Sequence, residues 1–314
     1  MKLFGEVEFW FAMIKIVAIV TLVGTGLYMV LTGFSSPAGR TASLANLWND
    51  GGMFPHGAMG FFAGFQIAVF AFVGIELVGT TAAEAKDPHR TLPRAINSIP
   101  VRIIIFYVCA LIAIMAVTPW RDVVPSKSPF VELFVLAGLP AAASIINFVV
   151  LTSAASSANS GVFSTSRMLY GLAQEGDAPK VFGKLSAASV PSRGLVFSCV
   201  CLLGGAFLMW VVPNLVEAFT LVTTVSAILF MFVWSLILLS YISYRKHRAE
   251  LHQASRYRMP GGVAMCWACL AFFAGIIVLL TFEADTRQAL LATPLWFVLL
   301  GVAYVSMRSR KPRG

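Results

Sequence analysis

The chain has 314 residues, 58% of them hydrophobic and only 12% charged, with a mean hydropathy of +0.83. A soluble domain carries about a quarter charged residues, so a soluble globular fold is excluded. The net charge of +9 does not mark a nucleic-acid binder, because the basic residues gather in a few loops. What remains is an all-α, polytopic helical membrane protein.

Eight apolar stretches are long enough to cross a bilayer, which takes about 20 residues. They cover residues 9–32, 58–83, 98–118, 139–166, 194–212, 216–242, 263–282 and 289–307. The first is too long for the apolar core of a signal peptide and lacks a small-residue cleavage pattern, so no cleavable signal is expected. Lys15 lies inside this span. Its ammonium either snorkels to the near surface along its flexible stem or faces the bundle as a fixed cation.

The second stretch is the most informative. In its middle stands Phe72-Val73-Gly74-Ile75-Glu76, a carboxyl group two residues after a helix-weakening glycine. An acidic side chain at the hydrocarbon midplane costs roughly 2.5–3.5 kcal/mol on insertion scales, so it needs a partner, a proton or a cavity. Interrupted helices that carry charge at this depth are how transporters build binding sites. Phe70 and Phe72 supply an apolar wall beside Glu76, and Gln66 reads as a helix-packing polar group. Pro88 and Pro93 are expected to end the helix after it leaves the membrane through Glu84 and Lys86.

The third stretch is followed by residues 119–138, a proline-bearing loop expected to hold a short helix. The fourth carries nine polar residues within residues 152–166, among them Ser156, Ser157 and Asn159. Small hydroxyl residues often serve close helix packing. Nine exceed one packing stripe, so some face a wet cavity or bond a partner. The sixth repeats the pattern weakly with Thr220, Thr223, Thr224 and Ser226. Residues 244–258 form a basic juxtamembrane segment suited to anionic lipid.

Lys and Arg set the orientation. Of 23, eighteen fall at the amino terminus, the carboxyl tail and the loops after the second, fourth and sixth spans; four fall on the opposite side. This places both termini in the cytoplasm. All five cysteines lie in apolar spans. The Cys266–Cys269 pair has redox or metal spacing but no further ligands nearby, so both read as packing residues and no metal or other cofactor is expected. No nucleophile–base pair, phosphate-cradling glycine loop or paired carboxylates occur within the spans, which argues against an enzyme.

Three segments, residues 5–20 (GEVEFWFAMIKIVAIV), 72–96 (FVGIELVGTTAAEAKDPHRTLPRAI) and 151–179 (LTSAASSANSGVFSTSRMLYGLAQEGDAP), resemble the amino acid permease family of the amino acid–polyamine–organocation superfamily. The resemblance runs essentially end to end and implies a single permease domain over residues 1–314. The family has twelve helices, the first ten forming two inverted five-helix repeats. On that frame the chain starts at family helix five, and residues 58–242 make one complete repeat.

The resemblance further implies that Phe70, Phe72, Gly74, Glu76, Ser157 and Asn159 contact substrate. Lys15 matches the lysine that replaces a sodium ion in proton-coupled relatives, so Lys15 and Glu76 are the implied proton-coupling pair. Ser156 stands with Ser157 and Asn159 on the helix that faces the site. The implied activity is proton symport of small neutral amino acids, D-alanine, D-serine and glycine, across a bacterial inner membrane. Family helices one to four have no counterpart, so a longer parent or a partner chain is expected to supply them. The alternative expectation is a non-transporting membrane remnant or interaction protein.

Overall fold

The computed structural model describes residues 2–36, 39–80, 87–124, 126–212, 214–255 and 257–308. Among these, extended backbone pairs only at an isolated bridge between Ser35 and Thr41; the rest of the regular structure is helical. Six helices are long and apolar enough to cross a membrane: Phe9–Leu31, Arg90–Val117, Ala141–Glu175, Val216–His247, Gly262–Leu279 and Ala284–Ser306. Two shorter apolar helices, Gly57–Ala71 and Ser192–Phe207, stand where the second and fifth spans are expected.

In chain order the helices are α1 (Lys2–Leu31), α2 (Gly57–Ala63), α3 (Phe65–Ala71), α4 (Leu77–Thr80), α5 (Pro88–Ile103), α6 (Cys109–Val117), α7 (Pro129–Leu136), α8 (Pro140–Glu175), α9 (Ser192–Val211), α10 (Leu215–His247), α11 (Ala249–Ala254), α12 (Gly262–Leu279) and α13 (Ala284–Arg308). A π-helical turn, Ile104–Val108, joins α5 to α6. The expected short helix in residues 119–138 is α7.

One expectation is corrected. Pro88 and Pro93 do not end a helix; they lie in the opening turns of α5. Proline suits the first turn because its missing N–H would have no helical partner there. The expected membrane exit through Glu84 and Lys86 falls outside the described residues.

The chain forms two compact units, one of residues 1–56 and 95–163, the other of residues 57–94 and 164–314. In the first, Leu22 and Met29 of α1 pack with Ala110, Ala113, Ile114 and Val117 of α6, and with Leu133 and Phe134 of α7. Gly26 lets α1 and α6 approach closely: a Cβ there would stand 2.9 Å from the Ala113 Cβ. Lipid is as apolar as these side chains, so tight packing at small residues holds such helices together. Gly26→Val is therefore expected to destabilise this unit by about 1–3 kcal/mol through overpacking, read as a lower unfolding midpoint in detergent. Beyond α1 the chain returns over the end of α6, where the Ser43 N–H (2.9 Å) and the Asn46 Nδ2 (2.8 Å) both donate to the Ala116 carbonyl.

In the second unit, Val69 of α3 packs with Ala227, Ile228 and Met231 of α10 and with Ile276 of α12. The expected packing role of Gln66 is met: its Nε2 donates to the Thr223 Oγ1 of α10 at 3.3 Å, and both side chains are buried. Gly194 of α9 sits against α8, where an added Cβ would come 2.9 Å from the Ser166 carbonyl oxygen. The Thr165 and Ser198 hydroxyls bond each other alongside, at 2.9 Å.

Candidate functional site

The second span breaks where its sequence is weakest. After α3 the backbone tightens into three-residue hydrogen bonds, with Phe72 N–H on the Val69 carbonyl (3.1 Å), Val73 on Phe70 (3.0 Å) and Ile75 on Phe72 (3.3 Å). Gly74 has φ +103°, a conformation that side-chain-bearing residues rarely adopt. Its N–H is left without a helical carbonyl. Glu76 satisfies it instead: both carboxyl oxygens accept from the Gly74 N–H, at 3.1 and 3.2 Å. The glycine and the carboxyl are thus two parts of one local device.

The same carboxyl reaches across to α10, where Trp234 Nε1 donates to Oε2 at 3.2 Å. Trp234 is fixed in turn by Phe230 and by Phe273 of α12, with ring centroids 6.2 and 5.9 Å away. Glu76 is half-buried, and Phe70 beside it meets Phe219 edge to face. Phe72 is 36% exposed. Sequence reasoning missed Trp234. The available signal was an indole inside an apolar span, whose N–H needs an acceptor when buried.

A Cβ at Gly74 would meet nothing within 4 Å, so only backbone strain opposes a substitution there. Gly74→Ala is expected to cost about 1–3 kcal/mol, measured as a shift of the thermal midpoint with unchanged helical circular dichroism.

In the first unit the two alternatives for Lys15 resolve. Its Nζ donates to the Ser156 Oγ of α8 at 3.0 Å, so the ammonium is held between α1 and α8. Ser156 is only 1% exposed. A cavity of about 400 Å³ adjoins the pair, with Lys15, Ser153 and Ser157 as its polar lining and Ile19, Ile146 and Val150 among its apolar walls. The Ser157 hydroxyl donates back to the Ser153 carbonyl at 3.1 Å, and Ser157 and Asn159 are exposed. The polar run of α8 is thus shared among an ammonium, a neighbouring helix and its own backbone carbonyls. It is not one packing stripe.

Cys266 is buried with its Sγ 3.3 Å from the Met259 Sδ, and Cys266 and Cys269 are both free thiols. Among the described residues, no group of three or more His, Cys, Asp or Glu side chains could hold a metal ion.

Membrane-length helices, one interrupted span and ionisable groups held at mid-span define a polytopic helical membrane protein. The sequence profile of the amino acid permease family matches residues 1–313, and the chain belongs to that family. It is 70% identical over 310 residues to the D-serine/D-alanine/glycine transporter of Escherichia coli K12, covering 99% of this chain and 66% of that protein. It is 51% identical over 303 residues to the amino-acid permease AapA of Bacillus subtilis, covering 96% of this chain and 65% of the relative. The chain therefore spans just under two thirds of the length of the curated relatives it matches.

Proposed function

We propose that this chain is the greater part of a proton-coupled carrier of small neutral amino acids, with D-serine, D-alanine and glycine as its substrates. The reading rests on the interruption of the second span at residues 72–76, where a mid-span carboxyl group holds an orphaned backbone N–H. Family membership and the substrates named for the E. coli relative support it. In this reading the chain crosses a bacterial inner membrane eight times with both termini in the cytoplasm, and residues 58–242 form one inverted repeat. Phe70, Phe72, Gly74 and Glu76 contact the amino acid, as do Ser157 and Asn159. Lys15 and Glu76 couple its passage to protons.

The chemistry of Glu76 suggests how. Its partners, the Gly74 N–H and the Trp234 indole N–H, are both donors. A proton arriving on the carboxyl turns one acceptor oxygen into a third donor, and both bonds can no longer be kept. The turn loosens, and the site exchanges one arrangement for another. Substrate and proton then bias the same equilibrium, as coupled transport requires.

The test is a graft. The 310 matched residues of the E. coli relative are replaced by those of this chain, and uptake of radiolabelled D-serine, D-alanine and glycine is measured in cells lacking that transporter. Uptake of all three, collapsed by a protonophore, is the expected result. A graft that reaches the membrane and takes up none of them overturns the reading.

A further inference from the structure

A second cavity of about 280 Å³ lies at the other end of the first unit, where the loop after α1 meets the segment that follows α6. Four of its lining side chains are charged: Arg40, Asp122, Lys127 and Glu132. They form two ion pairs, Arg40 Nε to Asp122 at 3.3 Å and Lys127 Nζ to Glu132 at 3.3 Å; Arg40 also lies 3.9 Å from Asp50. A clamp that merely joined the loops would pack its charges against each other and seal the space. Here both pairs border an opening, and their side chains are 36–58% exposed. Exposed pairs of this kind are weak and open readily.

We propose that this cavity binds a free small amino acid as its zwitterion, the carboxylate on Arg40 and Lys127 and the ammonium on Asp122 and Glu132. A simple anion entering the cavity would meet two carboxylates, and a simple cation would meet an arginine and a lysine. Only a molecule carrying both charges replaces both halves of an opened pair. The volume suits a ligand well below drug size. Val117 and Leu136 line the rest and offer nothing to a polar side chain. The site is separate from Glu76 and does not depend on the transport reading.

The experiment places a cysteine on the rim with Val123→Cys, in the full chain reconstituted in lipid nanodiscs. Modification by a negatively charged methanethiosulfonate is followed by intact-mass spectrometry, with the unsubstituted chain as blank. Glycine is expected to slow modification several-fold and saturably, while acetate and methylammonium at equal concentration do not. The protection is expected to persist in Glu76→Gln and to vanish in Arg40→Gln/Lys127→Gln. Equal rates with and without glycine overturn the proposal. So does protection by acetate alone, which marks a plain anion site, or protection lost in Glu76→Gln, which marks a signal from elsewhere. The three-ligand comparison needs no charge substitution and decides the matter even where the double variant disturbs the loops.

Discussion

Glu76→Gln is expected to lower uptake by the grafted carrier about ten- to a hundredfold and to flatten its dependence on external pH. Glutamine keeps an acceptor oxygen for the Gly74 N–H or for Trp234, so the broken turn survives. What it cannot do is take up and release a proton. Hydrogen bonds to charged groups are worth about 1.5–3 kcal/mol, and each 1.4 kcal/mol is about a factor of ten. Weakening one of them between two states of the carrier produces a loss of that size. The measurement is initial-rate uptake of labelled D-serine over a pH series, with surface expression checked in parallel. A variant with the parental pH profile would remove Glu76 from coupling and leave it as a brace for the turn.

Lys15→Met is the second large effect, and its two readouts should move in opposite directions. Methionine keeps an unbranched stem of similar reach and drops the charge. Holding an ammonium at mid-span costs roughly 2.5–3.5 kcal/mol on insertion scales, and a single hydroxyl 3.0 Å away returns only part of that. The variant should therefore unfold at an equal or higher temperature. Uptake should nevertheless fall by about tenfold or more, because a fixed cation can tune a proton site only while it is charged. Lower stability with parental uptake would instead identify Lys15 as a strut between α1 and α8.

Much of this architecture was legible in the residues. Long apolar runs locate the helices because a bilayer leaves backbone groups no partner except their own helix. Gly74 followed by Glu76 marked the break, since the glycine permits a positive φ and the carboxyl was too costly to stand alone. Other features were out of reach for physical reasons. Trp234 lies 158 residues from Glu76, and nothing local in either segment records the pairing. Lys15 could snorkel or turn inward at similar cost, so its direction waited on the position of Ser156. Neighbouring serines on α8 differ by about 100° around the helix axis, which is why Ser156 meets the lysine while Ser157 is exposed. Pro88 and Pro93 were assigned to the wrong helix because proline interrupts one helix and opens another with the same geometry.

The π-helical turn at Ile104–Val108 carries a consequence for register. Such a turn winds one residue more per revolution than its neighbours. Shortening it by a single residue would let α5 and α6 wind as one regular helix and swing everything downstream by about 100°. Ala113 would then leave Gly26, and a bulkier side chain would arrive at a contact that tolerates almost none. The third span is thus phased by a local surplus of backbone, and single-residue deletions there should be far more harmful than conservative substitutions.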